Sequence, residues 1–134
     1  MAKLVQAVAR YGPRVVSPRA VRDGELYEWL AGRTGLNRSQ VAAVLYELSA
    51  AISFFNRAGM VLRLVGVGTF KPGVRGSGRM RIRYAMAPEL RREMNATGAF
   101  SGEIANREHI GVDAAGYKAI WDAEFPDDPL DLPT

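Results

Sequence analysis

The sequence predicts an α+β fold: a two-helix hairpin packed on a small antiparallel β-sheet, followed by a helical C-terminal tail. Three observations carry the prediction. Residues 24–34 and 38–58 both place apolar side chains at helical spacing. Residues 61–84 read VLRLVGVGTFKPGVRGSGRMRIRY, an apolar and cationic alternation broken by glycines. The 134-residue chain is long enough for one domain with appended segments. It divides by composition into N-terminal extended strands over 1–22, a central domain over 23–94 and an acidic extension over 95–134.

The elements follow in order. Residues 3–9 and 15–21 read as short extended segments around Gly12-Pro13, with Pro18 marking an edge. Asp23 reads as a helix N-cap, and Glu25 and Glu28 suit the positive end of the helix dipole. Leu26, Trp29 and Leu30 form an apolar stripe that favours Trp29 as a core residue over a stacking platform, and Gly35 ends the helix. Asn37 with Gln40 three residues on forms a capping box for a second helix over 38–58. Its stripe of Val41, Val44, Leu45, Leu48, Ile52 and Phe55 is wider than one helix and a small sheet can cover, which predicts a homodimer, with a monomer that covers the face by its own tail as the competing reading. Gly59 ends it.

The next stretch organises the chain. Gly66 and Gly68 interrupt a first strand around Val67. A ribbon then folds back across Gly76-Ser77-Gly78. A two-residue loop would mix its faces. A three-residue loop sets Arg75 against Arg79, Gly73 against Arg81 and Lys71 against Arg83, with Gly78 in the left-handed position such loops need. One face then carries Lys71, Arg75, Arg79, Arg81 and Arg83, and the other carries Met80, Ile82 and Tyr84. Like charges opposed across a ladder repel, so such a face calls for an anion above it. The plainer alternative is a solvated face that serves solubility. Arg57, Arg63, Arg91 and Arg92 are secondary candidates for the same surface. Pro88 starts a short helix over 88–94, residues 95–111 read as loop, and Asp113 caps a helix over 114–124. The remainder, from Phe125-Pro126 on, reads as extended or disordered.

The net charge of +4 conceals a strong asymmetry. Residues 57–92 hold nine Lys/Arg against Glu89 alone, and residues 93–134 hold nine Asp/Glu against two Lys/Arg. A basic middle with an acidic end suits a polyanion binder. Lys3, Arg10, Arg14 and Arg19 could add a basic N-terminal arm. The chain has no cysteine, so thiolate metal sites and disulfides are excluded. His109 alone is a poor metal site, no cofactor is implied, and no nucleophile–base arrangement marks an enzyme or a small-molecule substrate. No run is long and apolar enough for a membrane helix, and no secretory signal is read. The expected location is the cytoplasm.

The motifs resemble those of the bacterial HU and integration host factor family of DNA-binding proteins. Ala31-Gly32-Arg33-Thr34-Gly35-Leu36 before the Asn37 cap resembles that family's inter-helix turn. Ala58-Gly59 is similar to the glycine that ends its long helix. Gly66-Val67-Gly68-Thr69-Phe70 is similar to its Gly-Phe-Gly-Thr-Phe strand break, with Val67 in place of the aromatic. The resemblance spans about residues 24–94. It implies an intertwined homodimer whose sheet forms a saddle on double-stranded DNA, in a nucleoid-associated, architectural role. The segments at both ends resemble an HU-like subgroup with extra termini. The family's long arm with an Arg-Asn-Pro tip is here the short Val74-Arg75-Gly76-Ser77-Gly78-Arg79, which puts kinking by an inserted proline in doubt.

Two other classes remain open. The acidic tail could screen the basic sheet, making the chain a protein-interaction or assembly module with weak or regulated DNA binding. RNA is a third possible ligand, although no aromatic platform interleaves the cations. With about five phosphates neutralised, the log–log salt slope expected for duplex binding is about −4.5 per binding unit.

Overall fold

A computed structural model describes residues 2–16 and 19–133. The chain is α+β, as expected, and divides into two compact units, residues 20–101 and residues 1–19 with 102–134. The two end segments are therefore halves of one unit, although the sequence separates them by more than eighty residues.

That terminal unit begins with β1 (Ala2–Lys3) and α1 (Leu4–Tyr11), continues with β2 (Arg14–Val16), and is completed further along the chain. The extended reading of 3–9 is thus corrected to a helix. Leu4, Ala7 and Tyr11 fall on one side at helical spacing and pack toward a core of Ala2, Ala7, Tyr117, Trp121 and Leu130. KLVQAVA is a short, mostly apolar run, which periodicity alone does not assign to strand or helix. The strand expected over 15–21 is observed at Arg14–Val16, while Pro18, taken as an edge marker, lies outside the described residues.

In the central unit, α2 (Asp23–Thr34) starts one residue before the expected span. Arg22 is its N-cap, so Asp23 is not the cap but a first-turn acid together with Glu25. Gly35 closes it at φ 77°. Then α3 (Arg38–Arg57) opens on the expected capping box: Asn37 Oδ1 accepts from Gln40 N at 2.9 Å, and Asn37 N donates to Gln40 Oε1 at 2.9 Å.

The sheet of this unit has the order β3 (Leu62–Leu64), β4 (Gly68–Val74), β5 (Met80–Met86), all antiparallel. Next comes α4 (Pro88–Asn95), with proline in its first turn. Asn56 is 5% exposed. Its Nδ2 donates to Met60 O and Phe70 O, both at 3.3 Å, tying the end of α3 to β4.

The expected loop over 95–111 is corrected in part. Residues Glu103–Ala105 form β6, antiparallel to β2, and Arg107–His109 form a 3₁₀ turn. Three residues are too few for period-2 patterning to show. Helix α5 (Ala114–Glu124) matches its expected span, capped by Asp113 Oδ1 accepting from Gly116 N at 2.8 Å. Its end docks β7 (Leu130–Asp131) alongside β1 in parallel. Trp121 Nε1 donates to Asp128 O at 2.7 Å, and Asp122 Oδ1 accepts from Leu130 N at 2.8 Å.

Candidate nucleic-acid interface

The ribbon register decides where the cations go. Lys71 faces Arg83, Gly73 faces Arg81 and Val74 faces Met80. Arg75 N donates to Arg79 O at 2.9 Å and Gly78 N to Arg75 O at 2.8 Å, closing a three-residue loop with Gly78 at φ 89°. This is the register expected from charge segregation. Directly paired residues share a face of the sheet. Lys71, Arg75, Arg79, Arg81 and Arg83 therefore stand on one side, all exposed. Arg63 joins them, because β3 sets it against Thr69, and Thr69 against Ala85. None of these six cations is ion-paired with a carboxylate among the described residues.

The glycine pair shapes the end of this surface. Gly66 takes φ 79°. A Cβ on Gly68 would lie 2.4 Å from Ala85 O and 2.5 Å from Tyr84 Cε2, so only glycine lets β4 approach β5 there. Between them, Val67 O accepts from Tyr84 Oη at 2.7 Å and from Ala87 N at 3.1 Å. The motif thus clamps the turn to β5 and fixes where Thr69 and Phe70 point. Thr69 lies on the cationic face, while Phe70 stacks with Tyr84 on the other, ring centroids 5.1 Å apart. The sequence reading did not single out Tyr84 as the clamp or Thr69 as a polar member of the cationic face.

Other candidates fall elsewhere. Arg57 ends α3 and lines, with Asn56, Pro72, Met80, Arg81 and Ile82, a cleft of about 320 Å³ that includes side chains of the apolar face. Arg91 and Arg92 are exposed on α4. A small cavity joins Pro88 and Glu89, at the start of that helix, to Arg63, Thr69 and Ala85 on the cationic face.

The expected basic N-terminal arm is corrected at Arg10. Arg10 is ion-paired with Glu124 and Tyr11 donates to the same carboxylate, so this end is bound into its own unit. The Tyr11 hydroxyl and then the Arg10 guanidinium hold Glu124 below the usual carboxylate range. Lys118 and then the Leu130 amide do the same for Asp122. Burial and then the Glu124 bond raise the Tyr11 phenol above its usual range. His109 Nδ1 meets Tyr11 O at 2.6 Å, a structural bond. Among the described residues, no three His, Cys, Asp or Glu side chains cluster as metal ligands, and no helix is long and apolar enough to cross a membrane.

The other face of the sheet is open along β5 and at the end of β4. Val74, Met80, Ile82, Tyr84 and Met86 are all more than two-fifths exposed. Trp29, expected in the core, is 60% exposed, with the Arg33 guanidinium 4.6 Å from its ring centre. Leu30 of the same stripe turns toward α3 and is half-buried, whereas Leu26 and Trp29 stay exposed.

No family model and no curated protein matches the chain. Among solved structures it is similar to an HU mutant from Thermotoga maritima, at 19% identity over 55% of this chain and 99% of that one, with a TM-score of 0.47. It is similar also to HU in an Anabaena HU–DNA cocrystal structure, at 19% identity over 57% of this chain and 99% of that one, with a TM-score of 0.48.

Proposed function

We propose that the chain is an HU-like, nucleoid-associated architectural protein of bacterial type. In this reading it acts as a homodimer that holds double-stranded DNA by its phosphates with little sequence preference. The observation that supports it is the gathering of Arg63, Lys71, Arg75, Arg79, Arg81 and Arg83 on one exposed sheet face without carboxylate partners among the described residues. Guanidinium forks match phosphate oxygens, and replacing condensed counterions there drives sequence-independent binding. Arg57, Arg91 and Arg92 are flanking contributors in this reading. No cofactor, catalytic step or small-molecule substrate is invoked.

The thin core of the central unit supports the dimer. Among the described residues of the central unit, the buried apolar side chains are only Val41 and Ala87. A second copy over the exposed stripe of α2, α3 and the ribbon would complete that core, on the scale of an obligate interface.

The test is anisotropy of a labelled random-sequence duplex titrated at low salt, beside an RNA duplex of equal length. Tight, salt-sensitive DNA binding supports the reading. Absence of binding refutes it, and a preference for RNA redirects it. The assembly-module reading draws on the same exposed apolar surface. It prevails if the chain self-associates and leaves duplex DNA free.

A further inference from the structure

The cationic face has a bare rung at its centre. Lys71 has Arg83 opposite it, and Arg75 is bonded to Arg79 across the loop, but Arg81 has Gly73 opposite. Glycine is a poor strand residue, and β-branched residues are the favoured ones on such a surface. The backbone of Gly73 is in ordinary strand conformation, so no turn demands it. The space where its side chain would stand is in use. A Cβ there would lie 3.4 Å from Arg81 Cγ and Nε and 3.8 Å from Arg83 Cδ. Gly73 is half-buried although both arginines are exposed, because their stems pass over it.

Resting on the DNA reading above, we infer that Gly73 is a positioning residue of the interface. Its bare backbone lets the Arg81 and Arg83 stems lie across the ribbon, so their guanidinium groups meet one phosphodiester strand together with Lys71. It also leaves Arg81 without a like charge directly opposite, where repulsion would turn the side chain away. An alanine methyl would only touch the stems at van der Waals distance. The extra methyls of valine or threonine would enter the volume the stems occupy, lifting both arginines while leaving every charge in place.

The experiment is salt-dependent duplex binding by the full chain as Gly73→Ala, Gly73→Val, Gly73→Thr, Arg81→Ala and the double variant Gly73→Val/Arg81→Ala, each with a thermal melt. Gly73→Ala should bind within about twofold of wild type. Gly73→Val and Gly73→Thr should melt no lower than wild type, bind about tenfold more weakly and show a salt slope shallower by about one, the signature of one lost phosphate contact. In the Arg81→Ala background, valine at 73 should cost clearly less than it does in wild type, because only Arg83 is then left to displace. Wild-type affinity in both branched variants, or the same loss with Arg81 absent, overturns the inference. A wild-type chain that fails to bind the duplex at low salt overturns the DNA reading and this inference with it.

Discussion

At the scale of single residues, position along the ribbon matters more than charge count. Arg81→Ala and Arg83→Ala each remove a cation from the shared face without touching a buried contact. Each should make the salt slope of duplex binding shallower by about one and leave the melting temperature within a few degrees of wild type. Arg10→Ala serves as a control of equal charge: its partner is Glu124, so it should leave the slope unchanged. Asn56 makes a different demand. It is 5% exposed, and its Nδ2 serves two backbone carbonyls while its buried Oδ1 has no partner. Asn56→Ala strips both carbonyls of their donor and should cost about 1–3 kcal/mol in a denaturant melt. An unchanged midpoint would mean that the tie between α3 and β4 contributes nothing.

At the scale of elements, the terminal unit should lose stability in acid. Glu124 and Asp122 both sit below the usual carboxylate range in the folded chain, each held by its hydrogen bonds. A carboxylate depressed on folding adds stability that is complete above its unfolded value and disappears as pH falls through its folded one. Both groups close the terminal unit, whose α5 carries Trp121, whereas Trp29 belongs to the central unit. In Trp29→Phe, the fluorescence of Trp121 should therefore report loss of structure as pH drops below about 4. Glu124→Gln should weaken that acid dependence. A terminal unit equally stable at pH 7 and pH 3 would contradict the role given to these bonds.

Legibility from sequence also divides by element. Each long or capped element was readable: the Asn37 box, the Gly35 stop, the Asp113 cap and the ribbon register each rest on interactions within a few residues. The short pieces were not. Residues Leu4–Tyr11 form a helix because Ala7 and Tyr11 meet α5 from the far end of the sequence, and β6 is three residues that gain their conformation from β2. Trp29 was misplaced because a stripe's apolarity says nothing about which chain covers it. Gly73 is legible only as an unfavourable strand residue opposite Arg81; the crossing of the arginine stems depends on their placement in the fold.

At the scale of the whole molecule, the uncovered apolar surface and the charged surface make separate predictions. Sedimentation should give about twice 14.7 kDa without DNA. Ile82→Glu, which buries a carboxylate in the proposed interface, should shift the chain to monomer. Removing the tail alone is a poor test of its role, because α1 and β2 lose their partners with it; residues 1–19 and 102–134 should be deleted together. The central unit should then still dimerise, as the exposed stripe lies on its own elements.

The claim on which all scales converge is that one sheet face neutralises several phosphates at once. The most direct measurement is the dependence of duplex affinity on salt, plotted as log K against log concentration. The account predicts a straight line with a slope of about −4.5 or steeper, since five or more cations share the face. A slope near zero, or binding that survives the joint loss of Arg81 and Arg83 with its slope intact, would contradict it.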